Sequence, residues 1–169
     1  GIGKGYAADE ALATLAEQGI RSALVDLGGD LTVSAAPPGR AGWVVQAGCG
    51  EGGQAGTRLL LVDQAVATTG DTAQPLSLDG VTLTHLVDPR SGQLLPAGLC
   101  CTVVAPDGAL ADALASASRV LGPRAARRLT SGLPQVRLLV EDPLSERVFD
   151  GETLDGWTTT GGRYDGTAP

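Results

Sequence analysis

Asp112 and Ser116 stand four residues apart in "GALADALASASRVLG", a spacing that sets two oxygens on one face of a helix. A carboxylate and a hydroxyl so placed offer hard donors to one Mg2+, which takes few protein ligands and keeps its other positions for water or phosphate oxygens. Taken alone, the pair reads more simply as an exposed acid near a helix N-terminus, with a serine bonded back to the preceding turn. Lys4 lies in "GIGKGY", directly before a helix pattern. Its chemical reading is a phosphate contact beside free main-chain N–H groups; its plain reading is a solvated lysine in a glycine loop. No "GK[ST]" follows, so it is not a P-loop. His85, the single histidine, can be a general base or a packed, turn-supporting side chain. Asp88 precedes Pro89 and organises that turn. Asp26 and Asp30 flank the glycine pair of "DLGGD", and Thr68, Thr69 and Asp71 surround Gly70 in "ATTGD". Each of these alone is ordinary turn chemistry.

These residues need elements to hold them. "AADEALATLAEQG" reads as a helix, with Leu12, Leu15 and Ala16 at helical spacing, acids in its first turn and Gly19 as its stop. "RSALVDL" and "LTVSA" read as strands joined by the tight turn "GGD". "WVVQAG" and "TRLLLVD" are strands around the glycine-rich "CGEGGQAG", and "AVATTG" is a short strand ending in hydroxyls. "VTLTHLVDPRSG" is a strand running into a Pro/Gly turn, and "LCCTVVAP" is an apolar strand. "GALADALASASRVLG" is the clearest helix; Leu110, Leu114, Ala117 and Leu121 form its apolar stripe and Gly122 ends it. "PRAARRLTSG" opens a further helix with proline at its first position. "VRLLVED" and "RVFDG" are closing strands. The fold class is α+β, a mainly antiparallel β-sheet with two or three packed helices. One domain covers 1–156, and the polar, glycine-rich 157–169 is expected to be a loose tail.

Composition agrees with one domain. The chain has 169 residues, 43% hydrophobic and only 3% aromatic, so its core is aliphatic. The formal net charge of −7 argues against a nucleic-acid surface. Apolar runs such as "TRLLLV" are far too short to span a bilayer, and no signal-peptide pattern is visible. Of the three cysteines, Cys100 and Cys101 are neighbours that point to opposite faces of a strand. An odd count makes no disulfide framework, and a zinc site lacks ligands. Cys49, Cys100 and Cys101 therefore read as buried, unreactive thiols.

The order "KGYAAD", "DLGGD", "ATTGD", "HLVDPRSG", "VVAPDGALADALASA" resembles the FAD:protein FMN transferase (ApbE-type) family from Gly1 to about Asp150. The specificity lies in the five motifs coming in that order. The resemblance implies a Mg2+-dependent transfer of FMN from FAD onto a threonine hydroxyl of a target flavoprotein, releasing AMP. Some family members hydrolyse FAD to FMN and AMP instead. Position by position, Asp112 and Ser116 match the helix-borne metal ligands. The second is usually threonine, whose extra methyl would fix the rotamer. Ala115 falls where some members carry another acid. Gly1 matches a residue that offers its main-chain carbonyl to the metal. Lys4 matches a flavin-nucleotide contact, Val87 a main-chain contact to FAD, and Thr69 a cofactor-binding residue of the "ATTGD" turn. His85 matches the histidine proposed to activate the target hydroxyl. "DLGGD" and "ATTGD" match loops lining one cleft.

The chemistry suits these residue types, because attack on a pyrophosphate asks for a cation on the oxygens and a positioned hydroxyl. The alternatives are an FAD-binding module without catalysis, an FAD pyrophosphatase, and a structural remnant of the fold. The chain opens inside a motif and has no methionine. The resemblance thus implies a C-terminal portion of a longer protein, without the family's N-terminal half. Such a chain alone is expected to bind FAD weakly, to transfer FMN negligibly, and to self-associate as a homo-oligomer or pair with a complementary N-terminal fragment. The family is bacterial and often extracytoplasmic, anchored through an N-terminal segment that these residues do not contain. The compartment and the target protein are not read from these residues.

Overall fold

The structure is a computed structural model, and it describes residues 1–49, 57–70, 76–78, 81–141, 148–150 and 157–159. In chain order the elements are α1 (Gly3–Glu17), β1 (Leu24–Leu27), β2 (Asp30–Val33), β3 (Trp43–Ala47), β4 (Thr57–Leu61), β5 (Gln64–Thr69), β6 (Leu76–Leu78), β7 (Val81–Val87), β8 (Leu94–Pro96), β9 (Cys100–Ala105), α2 (Gly108–Leu121), α3 (Pro123–Thr130), β10 (Arg137–Glu141), β11 (Val148–Asp150) and β12 (Trp157–Thr159).

A six-stranded sheet runs in the order β1-β2-β5-β9-β10-β11, and every pairing in it is antiparallel. The helices and mainly antiparallel sheets make the α+β class that the patterning predicts. Strand β9 is buried along its whole length, as its unbroken apolar run requires of a strand covered on both faces. On one face Cys101, Val103 and Ala105 pack with Ala111, Leu114, Ala115 and Ala126 of the helices. On the other, Val66, Val104 and Leu139 pack with Val45, Ala47, Leu59 and Leu61 of the smaller sheet β12-β4-β3. A third sheet, β6-β7-β8, carries His85. Burial alternates along β3 and β4 with the two-residue strand period.

Local chemistry explains the ends of these elements. Gly28 and Gly29 both have positive φ, 63° and 91°, in the two-residue turn between β1 and β2. Such a hairpin turn favours glycine at both places. Asp26 Oδ1 accepts from the Gly29 N–H at 2.8 Å and closes it. Asp107 caps α2 by accepting from Leu110 N–H at 2.8 Å.

Four expectations change. Helix α1 starts at Gly3, so Lys4 belongs to its first turn instead of a preceding loop, and no acid stands in that turn. The buried face of α2 runs through Ala111, Asp112, Leu114, Ala115 and Ser118, whereas Leu121, counted in the apolar stripe, is 39% exposed. The small side chains let α2 sit close to the sheet, which rotates the buried face away from the larger residues. Leu94–Pro96 forms a strand with no sequence signal of its own. In the tail expected to be loose, Trp157–Thr159 pairs with β4 as strand β12; residues 160–169 lie outside the described residues, as does Asp71.

The cysteine expectation is half overturned. Cys101 is a buried free thiol, which burial pushes up to about 12 against the opposing pull of Arg119. Cys49 and Cys100 are instead joined in a disulfide across 51 residues of sequence. Alternation along β9 does send the adjacent cysteines to opposite faces. The face that receives Cys100 is the one onto which the β3 end folds, and sequence spacing carries no trace of that juxtaposition.

Candidate functional site

A cleft of about 630 Å3 opens where six segments converge. That volume is within the usual range for small-molecule sites. The start of α1 contributes Gly1, Gly3 and Lys4, and the β1–β2 turn contributes Gly28 and Gly29. The β5 end contributes Thr68, Thr69 and Gly70, β7 contributes His85 and Leu86, and α2 contributes Asp112 and Ser116. The β3 end, Gln46 to Cys49, forms another wall, so the disulfide braces the cleft at Cys49. Sequence reasoning overlooks this wall; its weak signal is a strand end running into a glycine-rich loop.

Asp112 is 5% exposed. Its Oδ2 accepts from the Gly5 N–H of α1 at 3.3 Å. The Gly1 nitrogen lies 4.0 Å from Oδ1 and donates to Ser116 Oγ at 3.0 Å; among the described residues no lysine or arginine pairs with the Asp112 carboxylate. So α2 presents carboxylate and hydroxyl together, next to Gly1, as the four-residue spacing predicts. The plain reading of Asp112 as an exposed acid fails.

A buried carboxylate without a lysine or arginine counter-ion fits a bound cation. No group of three or more His, Cys, Asp or Glu side chains gathers among the described residues. The oxygens gathered beside Gly1 are the Asp112 carboxylate and the Ser116 hydroxyl. These are hard ligands, few in number, which suits Mg2+ keeping water or phosphate oxygens and not zinc.

Lys4 spans the mouth of the "GGD" turn. Its Nζ lies 2.9 Å from Asp30 Oδ2 and donates to the Gly28 carbonyl at 3.5 Å. Asp30 is 3% exposed. Burial raises its carboxyl above the ordinary 3.8, Lys4 opposes the rise, and Asp112 adds to it. Thr68 Oγ1 shares a hydrogen bond of 2.9 Å with Thr102 Oγ1 on the neighbouring strand, and Thr68 and Thr69 both line the cleft. His85 is exposed at the rim. Val87 is 49% exposed and stands outside the cleft lining, which takes Leu86 instead. Asp88 organises its turn as predicted: its carboxylate receives Arg90 N–H, Nε and guanidinium donors at 2.9, 2.9 and 2.7 Å. The Arg90 hydrogen bonds hold that carboxyl down at about 2.

The arrangement gathers a buried carboxylate, a helix N-terminus and a half-exposed lysine around a cavity with a histidine at its rim. Known proteins share the fold that carries this arrangement. Solved relatives include the ApbE protein from Thermotoga maritima, at TM-score 0.78 and 28% identity over 88% of this chain and 49% of that one. The apo flavinyl transferase ApbE of Pseudomonas stutzeri aligns at TM-score 0.71 and 27% identity, over 88% of this chain and 47% of that one. Among curated proteins, the FAD:protein FMN transferase of Escherichia coli K12 is 29% identical over 131 residues, 76% of this chain and 37% of that protein. The Treponema pallidum protein of the same name is 35% identical over 136 residues, 72% of this chain and 36% of that protein. The chain thus spans about a third of the length of these curated relatives. The ApbE family profile matches residues 1–140, and the chain belongs to the ApbE family.

Proposed function

We propose that this cleft binds FAD with Mg2+ and serves transfer of FMN from FAD to a threonine hydroxyl of a target flavoprotein, with release of AMP. The observation that carries the reading is Asp112: a buried carboxylate, paired on one helix face with Ser116, without a side-chain cation among the described residues. Relatives named FAD:protein FMN transferase support the substrate and the reaction class.

Asp112, Ser116 and the Gly1 carbonyl would hold the metal, which supplies charge neutralisation at the pyrophosphate oxygens. The N-terminal end of α1 faces the cleft at Gly3 and Lys4, where helix N–H groups favour an anion. Lys4 leans from Asp30 toward a phosphate, and Thr69 borders the nucleotide. His85 takes the threonine proton as its oxygen bonds to the FMN phosphorus, and the bond to AMP breaks with AMP carrying away the electron pair. With a metal held there and the α1 terminus offsetting the phosphate charge, little covalent work would fall to the protein.

The Cys49–Cys100 disulfide supports an oxidising, extracytoplasmic compartment. The exposed Val44 and Leu60, cross-strand partners on the β3–β4 pair, support self-association or pairing with a complementary fragment, which light scattering would detect.

The function is tested by supplying FAD, Mg2+ and a threonine-bearing target to the chain paired with a complementary N-terminal fragment, since the chain alone is expected to transfer FMN negligibly. AMP release that requires Mg2+, with covalent flavin on the target, is the expected result. AMP with free FMN would make the protein a pyrophosphatase. FAD binding without AMP would make it a binding module.

A further inference from the structure

We infer that Asp9 is a positioning residue that aims the metal-holding face of α2 at the cleft. This rests on the reading of Asp112 and Ser116 just given. Asp9 ends the "KGYAAD" stretch, on α1. Its Oδ1 accepts from the Gly108 N–H at 2.8 Å and from Thr32 Oγ1 at 3.2 Å. Its Oδ2 accepts from the Ala109 N–H at 3.0 Å. One side chain thereby ties α1 to β2 and to the first turn of α2. Each of these elements carries a charged group at or beside the cleft: Lys4 on α1 and Asp112 on α2 line it, and Asp30 on β2 pairs with Lys4.

The helices meet at this clamp with almost no space between them. A Cβ on Gly5 would fall on the Gly108 carbonyl, and one on Gly108 would stand 2.6 Å from the Gly5 carbonyl oxygen. Close approach brings the Gly5 N–H to Asp112 Oδ2. Asp112 follows Gly108 by one helical turn, so the bonds that Asp9 makes to Gly108 and Ala109 set the rotation of α2 about its axis. Displacements of about 1 Å at a reacting centre can cost a factor of a hundred, and loss of partners that orient metal ligands typically costs about 10–100-fold in metal affinity.

The test compares Asp9→Ala, Asp9→Asn, Asp107→Ala and Asp112→Ala in the full chain. FAD affinity is read by flavin fluorescence with and without Mg2+, with thermal melting in parallel. Asp107 caps the same helix and makes no hydrogen bond to α1 among the described residues, so Asp107→Ala reports the stability of α2 without cutting the α1 clamp. Asp9→Ala is expected to lower the Mg2+-dependent part of FAD affinity by about 10–100-fold and to leave the Mg2+-free part unchanged. Asp9→Asn retains one acceptor oxygen, sets an amide N–H against that of Ala109, and is expected to fall between Asp9→Ala and the parent. Asp107→Ala should lower the melting temperature with Mg2+-dependent affinity preserved. Equal losses in Asp9→Ala and Asp107→Ala would make Asp9 a helix-stability residue and overturn the inference. So would parental affinity in Asp9→Asn if Asp9→Ala failed to fold. If Asp112→Ala keeps its Mg2+-dependent affinity, or the parent has none, the reading of the metal site itself falls. If Asp112→Ala loses that affinity while the Asp9 variants keep it, only the positioning role falls.

Discussion

Asp112 owes its chemistry to burial as much as to spacing. The interval to Ser116 is legible in the sequence; the burial is not, because the large residues of the helix suggest a different inner face. Removing the carboxylate leaves a hydroxyl and main-chain oxygen, too little to hold Mg2+ against water. Asp112→Ala is therefore expected to abolish the Mg2+-dependent part of FAD affinity, and Lys4→Ala to weaken it less. Calorimetry reads both. His85 stands exposed at the edge of the cleft, which suits the proposed role on a target hydroxyl. His85→Ala should keep FAD affinity and slow transfer by about 10²–10⁴-fold, the usual contribution of a general base; an unchanged transfer rate would reduce it to a rim residue. Asp30 makes a pH prediction. Burial raises its carboxyl above 3.8 in the folded state, so the native chain binds this proton more tightly than the unfolded one. The Asp30 contribution to stability is then greatest in acid and declines as pH rises from 3.8 through the folded value. Lys4→Ala removes an opposing influence and should move the Asp30 carboxyl higher still, as carboxyl carbon NMR can follow.

Among the elements, apolar runs and periodicity made β1, β2, β4, β9 and α2 readable, and turn residues marked their ends. What escaped was set by neighbours. The start of α1 at Gly3 depends on α2, whose Asp112 accepts the Gly5 N–H. Strand β12 exists by pairing with β4, a partner remote in sequence. The Cys49–Cys100 bond follows from the packing of β3 over β9, and it closes a loop of 51 residues. A cross-link of that span stabilises by about 2–4 kcal/mol, chiefly by restricting the unfolded chain. The double variant Cys49→Ser, Cys100→Ser should lose that much in urea unfolding and, with the Cys49 wall of the cleft loosened, bind FAD more weakly. An unfolding midpoint unaffected by the double substitution would contradict the bracing role. Cys101, buried with its thiol pushed up to about 12, should stay unreactive toward alkylating reagents in the folded state.

At the scale of the molecule, the cleft is made by topology. Lys4, Asp30, Thr69, His85 and Asp112 lie far apart in sequence, and each taken singly has an ordinary explanation. The β2-β5-β9 order, with α1 and α2 packed on it, brings Lys4 with its partner Asp30, Thr69 and Asp112 together, and the separate sheet β6-β7-β8 adds His85. No periodicity encodes that order; only the succession of five motifs, matched to a family, made it foreseeable. The central claim is that these residues carry out transfer and not only binding. The most direct measurement is the molar ratio of released AMP to flavin covalently bound on the target, followed by mass spectrometry with Mg2+ present. The account predicts a ratio near one, with both products lost when Mg2+ is chelated or Asp112 is replaced by alanine. AMP without covalent flavin, or covalent flavin that persists in Asp112→Ala, would contradict it.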